Sequence, residues 1–138
     1  MVMCKVLQDK NLLLYSVGET MDKRRILGNA GENTVEQYLT KNGYKILDRN
    51  FQCNLGEIDI IALDKNKEIV FIEVKTRNSI LYGYPAEAIT NKKLKHIYYT
   101  AQYYLHIRNL ENSPVRIDVI EVYLQHNYYK INHIQQVI

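Results

Sequence analysis

Glu73 and Lys75 are charges set into the run Ile-Val-Phe-Ile-Glu-Val-Lys-Thr-Arg, residues 69–77. Val70, Phe71, Ile72 and Val74 make that run apolar on both faces, as in a central strand. A spacing of two places Glu73 and Lys75 on the same face. Burying either ion unpaired costs several kcal/mol, so the pattern demands a compensating partner. The run Gly-Glu-Ile-Asp-Ile-Ile-Ala, residues 56–62, supplies one, because it sets Asp59 inside an equally apolar stretch. Between the two runs lies the polar connection Asp64-Lys65-Asn66-Lys67-Glu68, which suits an antiparallel hairpin. If that hairpin is symmetric about Asn66, Asp59 sits directly opposite Glu73 and Glu57 opposite Lys75, with facing Cβ atoms about 5 Å apart.

Two carboxylates that close repel, and one of them is forced to hold its proton, but the same pair is an oxygen cage for Mg²⁺ or Mn²⁺. A water on such an ion is acidified and can attack a phosphodiester, while Lys75 offsets charge developing on the phosphate or orients that water. The chemistry implied is hydrolytic phosphoryl transfer. A plainer arrangement explains the same charges: an edge strand bearing a solvated ion pair between Lys75 and Glu57. The apolar flanks on both faces favour the central strand. Asp59 on its own would read as a strand-end cap; its place opposite Glu73 is what sets it apart.

These strands need elements to hold them. From Leu27 to Leu39 apolar residues recur at Leu27, Ala30, Val35, Tyr38 and Leu39, one face of a helix, and Asn42-Gly43 is its natural stop. Glu32 falls at the edge of that stripe, beside Val35 and Leu39, from where it reaches inward or remains a solvent-edge residue. Tyr44 to Phe51 reads as a short strand. A second helix follows Pro85, with Ile89, Leu94, Ile97, Ala101 and Leu105 inward and Lys92, Lys93, Lys95 and His96 available to the other face. Val115 to Leu124 is a further strand, and Tyr128 to Ile138 suits a last edge strand. Helix, three strands, helix and strand, joined by short loops, predict one α/β domain with a mixed central sheet flanked by helices.

The lysine cluster is in most proteins the wet face of a helix; together with Arg77, at the exit of the metal strand, it suits phosphate contacts that give affinity without reading sequence. Arg116 and Asp118 share a strand face and read as a mutual structural pair. The 12 tyrosines, dense from Tyr98 to Tyr104 and at Tyr128-Tyr129, read mostly as amphipathic core cover, with exposed ones suited to stacking on unpaired bases.

At 138 residues, 46% hydrophobic, 24% charged and only 2 prolines, the chain is long and apolar enough for one stable core, which excludes a disordered segment. A net charge of +3 permits an anionic partner without requiring one. Cys4 and Cys53 lie far apart with no second ligand at zinc spacing, which favours reduced thiols in a cytoplasm. No run approaches the ~20 apolar residues of a membrane span. Residues 1–20 stand apart from residues 21–138 as an N-terminal extension. They hold a candidate hairpin, Val2 to Leu7 and Leu12 to Val17, and Met21 followed by Asp-Lys-Arg-Arg is equally compatible with a start of translation.

Gly56-Glu57-Ile58-Asp59 followed by Glu73-Val74-Lys75 resembles the PD-(D/E)xK signature of restriction-endonuclease-like nucleases, without its proline. More closely, residues 26–134 resemble the YraN-type family of uncharacterised bacterial proteins, which are similar to archaeal Holliday-junction resolvases. The matching pieces include Gly31-Glu32, Gly43-Tyr44, Asn50, Phe71 through Arg77, Gly83, Lys93 and Arg116-Ile117-Asp118. The resemblance implies an αβββαβ core and a metal-dependent endonuclease acting on DNA, with structured or branched DNA as substrate and a two-fold homodimer as the acting form. Asp59, Glu73 and Lys75 would be its catalytic group and Glu32 an extra carboxylate and metal ligand; beside them stand the nucleic-acid contacts read from the residues themselves, Arg77, Lys92 and Lys93, together with Asn50. A module that keeps the fold and binds nucleic acid without cutting it is the alternative.

Overall fold

The computed structural model describes residues 12–16, 23–77, 89–125 and 128–138. In chain order the elements are β1 (Leu12–Ser16), α1 (Lys23–Lys41), β2 (Lys45–Cys53), β3 (Gly56–Leu63), β4 (Ile69–Arg77), α2 (Asn91–Ile107), β5 (Val115–Gln125) and β6 (Tyr128–Ile134). The strands form one mixed sheet in the order β1-β6-β5-β4-β3-β2, antiparallel throughout except for the parallel β4–β5 pair. The predicted helix, three strands, helix and strand are all present, in that order. The tail strand is not an edge, however. Leu12–Ser16 pairs with β6, from Leu12↔Asn132 to Ser16↔Tyr128, and so covers the backbone groups that β6 would otherwise expose. The other arm of the candidate N-terminal hairpin lies outside the described residues, as does Pro85.

α1 ends where the sequence says it must. Gly43 adopts φ 84°, a left-handed conformation that glycine takes without strain, and lets Tyr44 N–H bond back to Leu39 C=O at 2.9 Å. α2 starts at a cap: the Thr90 hydroxyl accepts the Lys93 N–H at 3.2 Å. Each helix covers one face of the sheet. Val35, Tyr38 and Leu39 of α1 pack with Ile60, Ala62, Val70, Ile72 and Ile120. Ile97, Ala101, Tyr104 and Leu105 of α2 pack with Ile58, Ile61, Ile69, Phe71 and Ile117. Strand β4 therefore alternates between two buried faces, as its apolar run requires.

One irregularity positions everything that follows. On the α1 side β2 presents Arg49 and β3 presents Ile60, yet the residues two positions away, Phe51 and Ile58, both pack on the α2 side. Strict alternation would have kept each pair on one face. The ladder steps from Arg49↔Ile60 to Phe51↔Ile58, and the two residues between them, Asn50 with φ 51° and Asp59, break the alternation. Just there the sheet forks. The β3–β4 ladder runs from Leu63↔Ile69 to Ile60↔Ile72, beyond which β3 continues with β2 and β4 continues with β5 as far as Arg77↔Tyr123.

Away from the fork a polar bolt locks the sheet. Arg116 gives Asp118 two bonds, at 3.0 and 3.1 Å, and reaches Asp64 at 2.6 Å, Glu68 at 3.0 Å and the Tyr44 hydroxyl at 2.7 Å. The Asp118 carboxylate, fully buried, also meets His133 Nε2 at 2.7 Å and accepts the Gln136 N–H at 2.9 Å, while His133 Nδ1 meets the Tyr38 hydroxyl at 2.9 Å. Burial works against that carboxylate, but the bonds from His133 and Arg116 prevail and hold it below the usual carboxylate range. The mutual pair expected of Arg116 and Asp118 is thus the centre of a wider structural network. Removing one partner strands a buried charge, so Asp118→Ala should lower the unfolding free energy in urea by about 3 kcal/mol. A loss under about 1 kcal/mol would show that Asp64 and Glu68 suffice for Arg116.

Candidate active site

At the fork β4 offers a backbone N–H on the side that β3 has left. Asp59 takes it: its Oδ2 accepts the Val74 N–H at 2.8 Å, so a side chain replaces the ladder bond that β3 no longer provides. Asp59 and Glu73 are thereby brought together across the fork rather than as a regular cross-strand pair. The predicted partnership of Glu57 with Lys75 does not form, because β3 has by then left β4. Glu57 instead faces Gln52 of β2 and accepts its amide at 3.2 Å.

Glu73 is 5% exposed, which excludes the solvated edge pair. Two ammonium groups meet its Oε1, Lys75 Nζ at 3.5 Å and Lys93 Nζ at 3.4 Å. Lys75 comes from the same face of the same strand, as its spacing predicts. Lys93 comes from the capped first turn of α2, and so stands in the acidic site rather than on the outward face. Both ammonium groups keep access to solvent, at 35% and 40% side-chain exposure, so the cluster is a buried acid beneath two reachable cations.

Asp59 carries the electrostatic strain. Burial, the neighbouring Glu73 charge, the more distant Glu32 charge and a hydrogen bond shared with Glu73 all favour its protonated form. The Val74 N–H opposes them, and the balance pushes the carboxyl up to about 7. Glu32 reaches this neighbourhood because α1 lies hard against β4. A Cβ at Gly31 would stand 2.5 Å from Thr76 Oγ1, so only glycine permits that approach. Glu32 does not join the close pair, and among the described residues no three His, Cys, Asp or Glu side chains converge as a metal cluster. Its carboxylate is held by Arg49 at 3.2 Å, which also binds Glu36 at 2.7 Å and Asn33 at 3.0 Å. Sequence reasoning missed Arg49. The signal was available, since Glu32 and Glu36 are like charges one helical turn apart and need a cation between them.

The remaining predicted contacts are dispersed. Lys92 and Asn50 are exposed, Asn50 at the interruption of β2. Arg77 ends β4 beside Tyr123, partly buried, with no hydrogen-bond partner for its Nε. Carboxylate oxygens are the hard donors that Mg²⁺ and Mn²⁺ take, and a pair that clings to a proton is one that a cation would relieve. The donor set at the fork fits such an ion.

A family model described as "Uncharacterised protein family UPF0102" matches residues 31–122, a span that opens at Gly31 and includes Asp59, Glu73, Lys75 and Lys93. A UPF0102 protein of Caldicellulosiruptor saccharolyticus is 51% identical over 104 residues, 75% of this chain and 86% of that protein. Another, from Caldanaerobacter subterraneus subsp. tengcongensis, is 47% identical over 114 residues, 80% of this chain and 93% of that protein. Among solved structures, Pyrococcus furiosus SfsA in complex with Ca²⁺ is similar with a TM-score of 0.40 and 14% identity, over 89% of this chain and 76% of that one. A repair endonuclease from Pyrococcus abyssi is similar with a TM-score of 0.39 and 16% identity, over 90% of this chain but only 58% of that one.

The raised Asp59 carboxyl sets a pH dependence of stability. A folded-state value of about 7 against 3.8 for the free group means that the fold favours the proton, so its stabilising contribution is complete below about pH 4 and is lost as pH rises through about 7. Urea denaturation in EDTA should show wild-type stability falling over that window and a flatter profile for Asp59→Asn. Parallel profiles for the two proteins would assign the dependence to other groups.

Proposed function

The chain belongs to the uncharacterised protein family UPF0102, and on that premise we propose that it is a divalent-metal-dependent endonuclease hydrolysing phosphodiester bonds in DNA. The observation that carries this reading is the pair of carboxylates, half-buried Asp59 and buried Glu73, at the fork of the sheet beside the ammonium groups of Lys75 and Lys93. Any buried acid needs a compensating cation, but a purely structural pair gives no reason for both ammonium groups to keep access to solvent, as a site that must receive a phosphate does.

In this reading Asp59 and Glu73 hold Mg²⁺ or Mn²⁺, with Glu32 able to join once Arg49 releases it. Such an ion, when bound, lowers the pKa of a water and neutralises charge on the phosphate. Asp59 is anchored by the Val74 N–H and therefore presents its second oxygen in a fixed direction. Lys75 offers a proton donor to the attacking water or to a phosphate oxygen, and Lys93 adds positive charge on the approach side. Arg77, Lys92 and Asn50 contact the backbone of the substrate. A preference for structured or branched DNA and a homodimer with two opposed sites follow from the resemblance to junction resolvases. No helix among the described residues is long and apolar enough to cross a membrane, and the reading places the protein with DNA in the cytoplasm.

The test is cleavage of linear duplex, single strand, flap and four-way junction with Mg²⁺, Mn²⁺ or EDTA. Wild type should give metal-dependent product, while Asp59→Ala, Glu73→Ala and Lys75→Ala should each lose at least about 100-fold in rate with salt-dependent binding retained. Arg77→Ala and Lys92→Ala should instead weaken binding. Tight binding with no product on any substrate would replace the nuclease by a binding module.

A further inference from the structure

α2 continues past the site as a surface of its own. Its sequence, Asn-Lys-Lys-Leu-Lys-His-Ile-Tyr-Tyr-Thr-Ala-Gln-Tyr-Tyr-Leu-His-Ile, contains no Asp or Glu. Three lysines crowd its first turns, against the helix dipole, a placement that costs stability unless an anion is present. Steps of three and four put Lys92, His96, Tyr99 and Tyr103 on one stripe opposite the buried Ile97, Ala101 and Leu105. All four stripe residues are exposed, Tyr99 and Tyr103 at 53% and 43%.

The stripe ends in a groove. Between the last turns of α2 and the β2–β3 turn lies an open cavity of 580 Å³ lined by Tyr103, Ile107, Phe51, Leu55, Gln52 and Asn54, among others. That volume lies within the roughly 300–1,000 Å³ of small-ligand pockets. Phe51 backs the Tyr103 ring with centroids 6.4 Å apart and planes 29° from parallel, which fixes the ring while it stays open to solvent. Leu55 and Ile107, at 49% and 44% exposure, add apolar walls, and Gln52 and Asn54 make the lining partly polar.

We propose that this groove takes an unpaired nucleobase, stacked on Tyr103, from a strand whose phosphates run along Lys92, Lys95 and His96 of α2. An aromatic platform beside a row of cations, on a helix without acids, matches a polyanion that carries flat apolar faces. From Lys93 in the acidic site to Tyr103 is about 15 Å along the helix axis, or about four steps of ~3.4 Å along a strand. The inference rests on nucleic acid as the ligand of the Asp59 site, and it gives that substrate an unpaired segment a few nucleotides from the scissile bond.

The test is fluorescence anisotropy of the full chain in EDTA, with a labelled thymidine oligonucleotide of about fifteen nucleotides and a duplex of equal length. Tyr103→Ala should weaken single-strand binding roughly 5- to 100-fold, leave duplex binding within about two-fold and preserve the melting temperature, while Tyr103→Phe should keep wild-type affinity. Lys92→Ala and Lys95→Ala should weaken both probes and shrink the salt dependence. Unchanged single-strand affinity in a folded Tyr103→Ala variant would overturn the proposal. So would a Tyr103→Ala variant that loses self-association in sedimentation yet binds the oligonucleotide normally. Because no cleavage occurs in EDTA, a Tyr103 effect in a protein that cuts nothing upholds the groove and sinks the nuclease; intact cleavage without a Tyr103 effect does the reverse.

Discussion

The Val74 N–H bonded to the Asp59 carboxylate is the constraint on which the site depends. A sheet that splits leaves backbone groups of a central strand unpaired in a dry place, and each such orphan costs free energy comparable to a lost hydrogen bond. One acid side chain answers that need at the point where β3 and β4 part. It is thereby fixed beside Glu73, a second acid that strand geometry had already turned inward. The fork and the acid pair are one feature: the same bond that ends the ladder orients the carboxyl.

The charge arrangement follows from the same geometry. An acid pair at the mouth of a fork requires cations from outside the β3–β4 hairpin core, and the two helices bring charges of opposite sign to its two members. α2 delivers Lys93 to Glu73, next to Lys75. α1, drawn close by Gly31 against Thr76, delivers Glu32, which Arg49 of β2 restrains. Glu73 therefore gains positive neighbours, while Asp59 favours its proton through burial, the Glu73 charge and, less strongly, that of Glu32.

Local pattern foretold much of this. The polar five-residue connection fixed the hairpin register, and the pairs from Leu63↔Ile69 to Ile60↔Ile72 are those expected from symmetry about Asn66. The apolar run of β4 identified a strand buried on both faces, and Asn42-Gly43 marked the end of α1. The fork was not legible, because a side chain competing for a ladder bond leaves the hydrophobic pattern unchanged. Lys93 was legible as a cation for phosphate but not as a partner of Glu73, because Lys92, Lys93, Lys95 and His96 read as one outward cluster and only the seating of α2 on the sheet selects the one that turns in. The reach of Arg116 to Asp64, Glu68 and Tyr44 joins residues far apart in sequence, and only the Arg116–Asp118 spacing within one strand was visible.

Strand β2 borders the open side of the sheet, next to the site, and such a border is normally a template on which other chains polymerise. Here it resists. A register shift between Ile46 and Asp48 bends it, Asn50 turns its backbone left-handed a few residues later, and exposed Lys45 charges its start. A foreign strand laid along β2 would lose its hydrogen-bonding register twice within nine residues. The kink that re-aims side chains around Asp59 therefore also blunts this margin of the sheet, and so guards it against amyloid-like association.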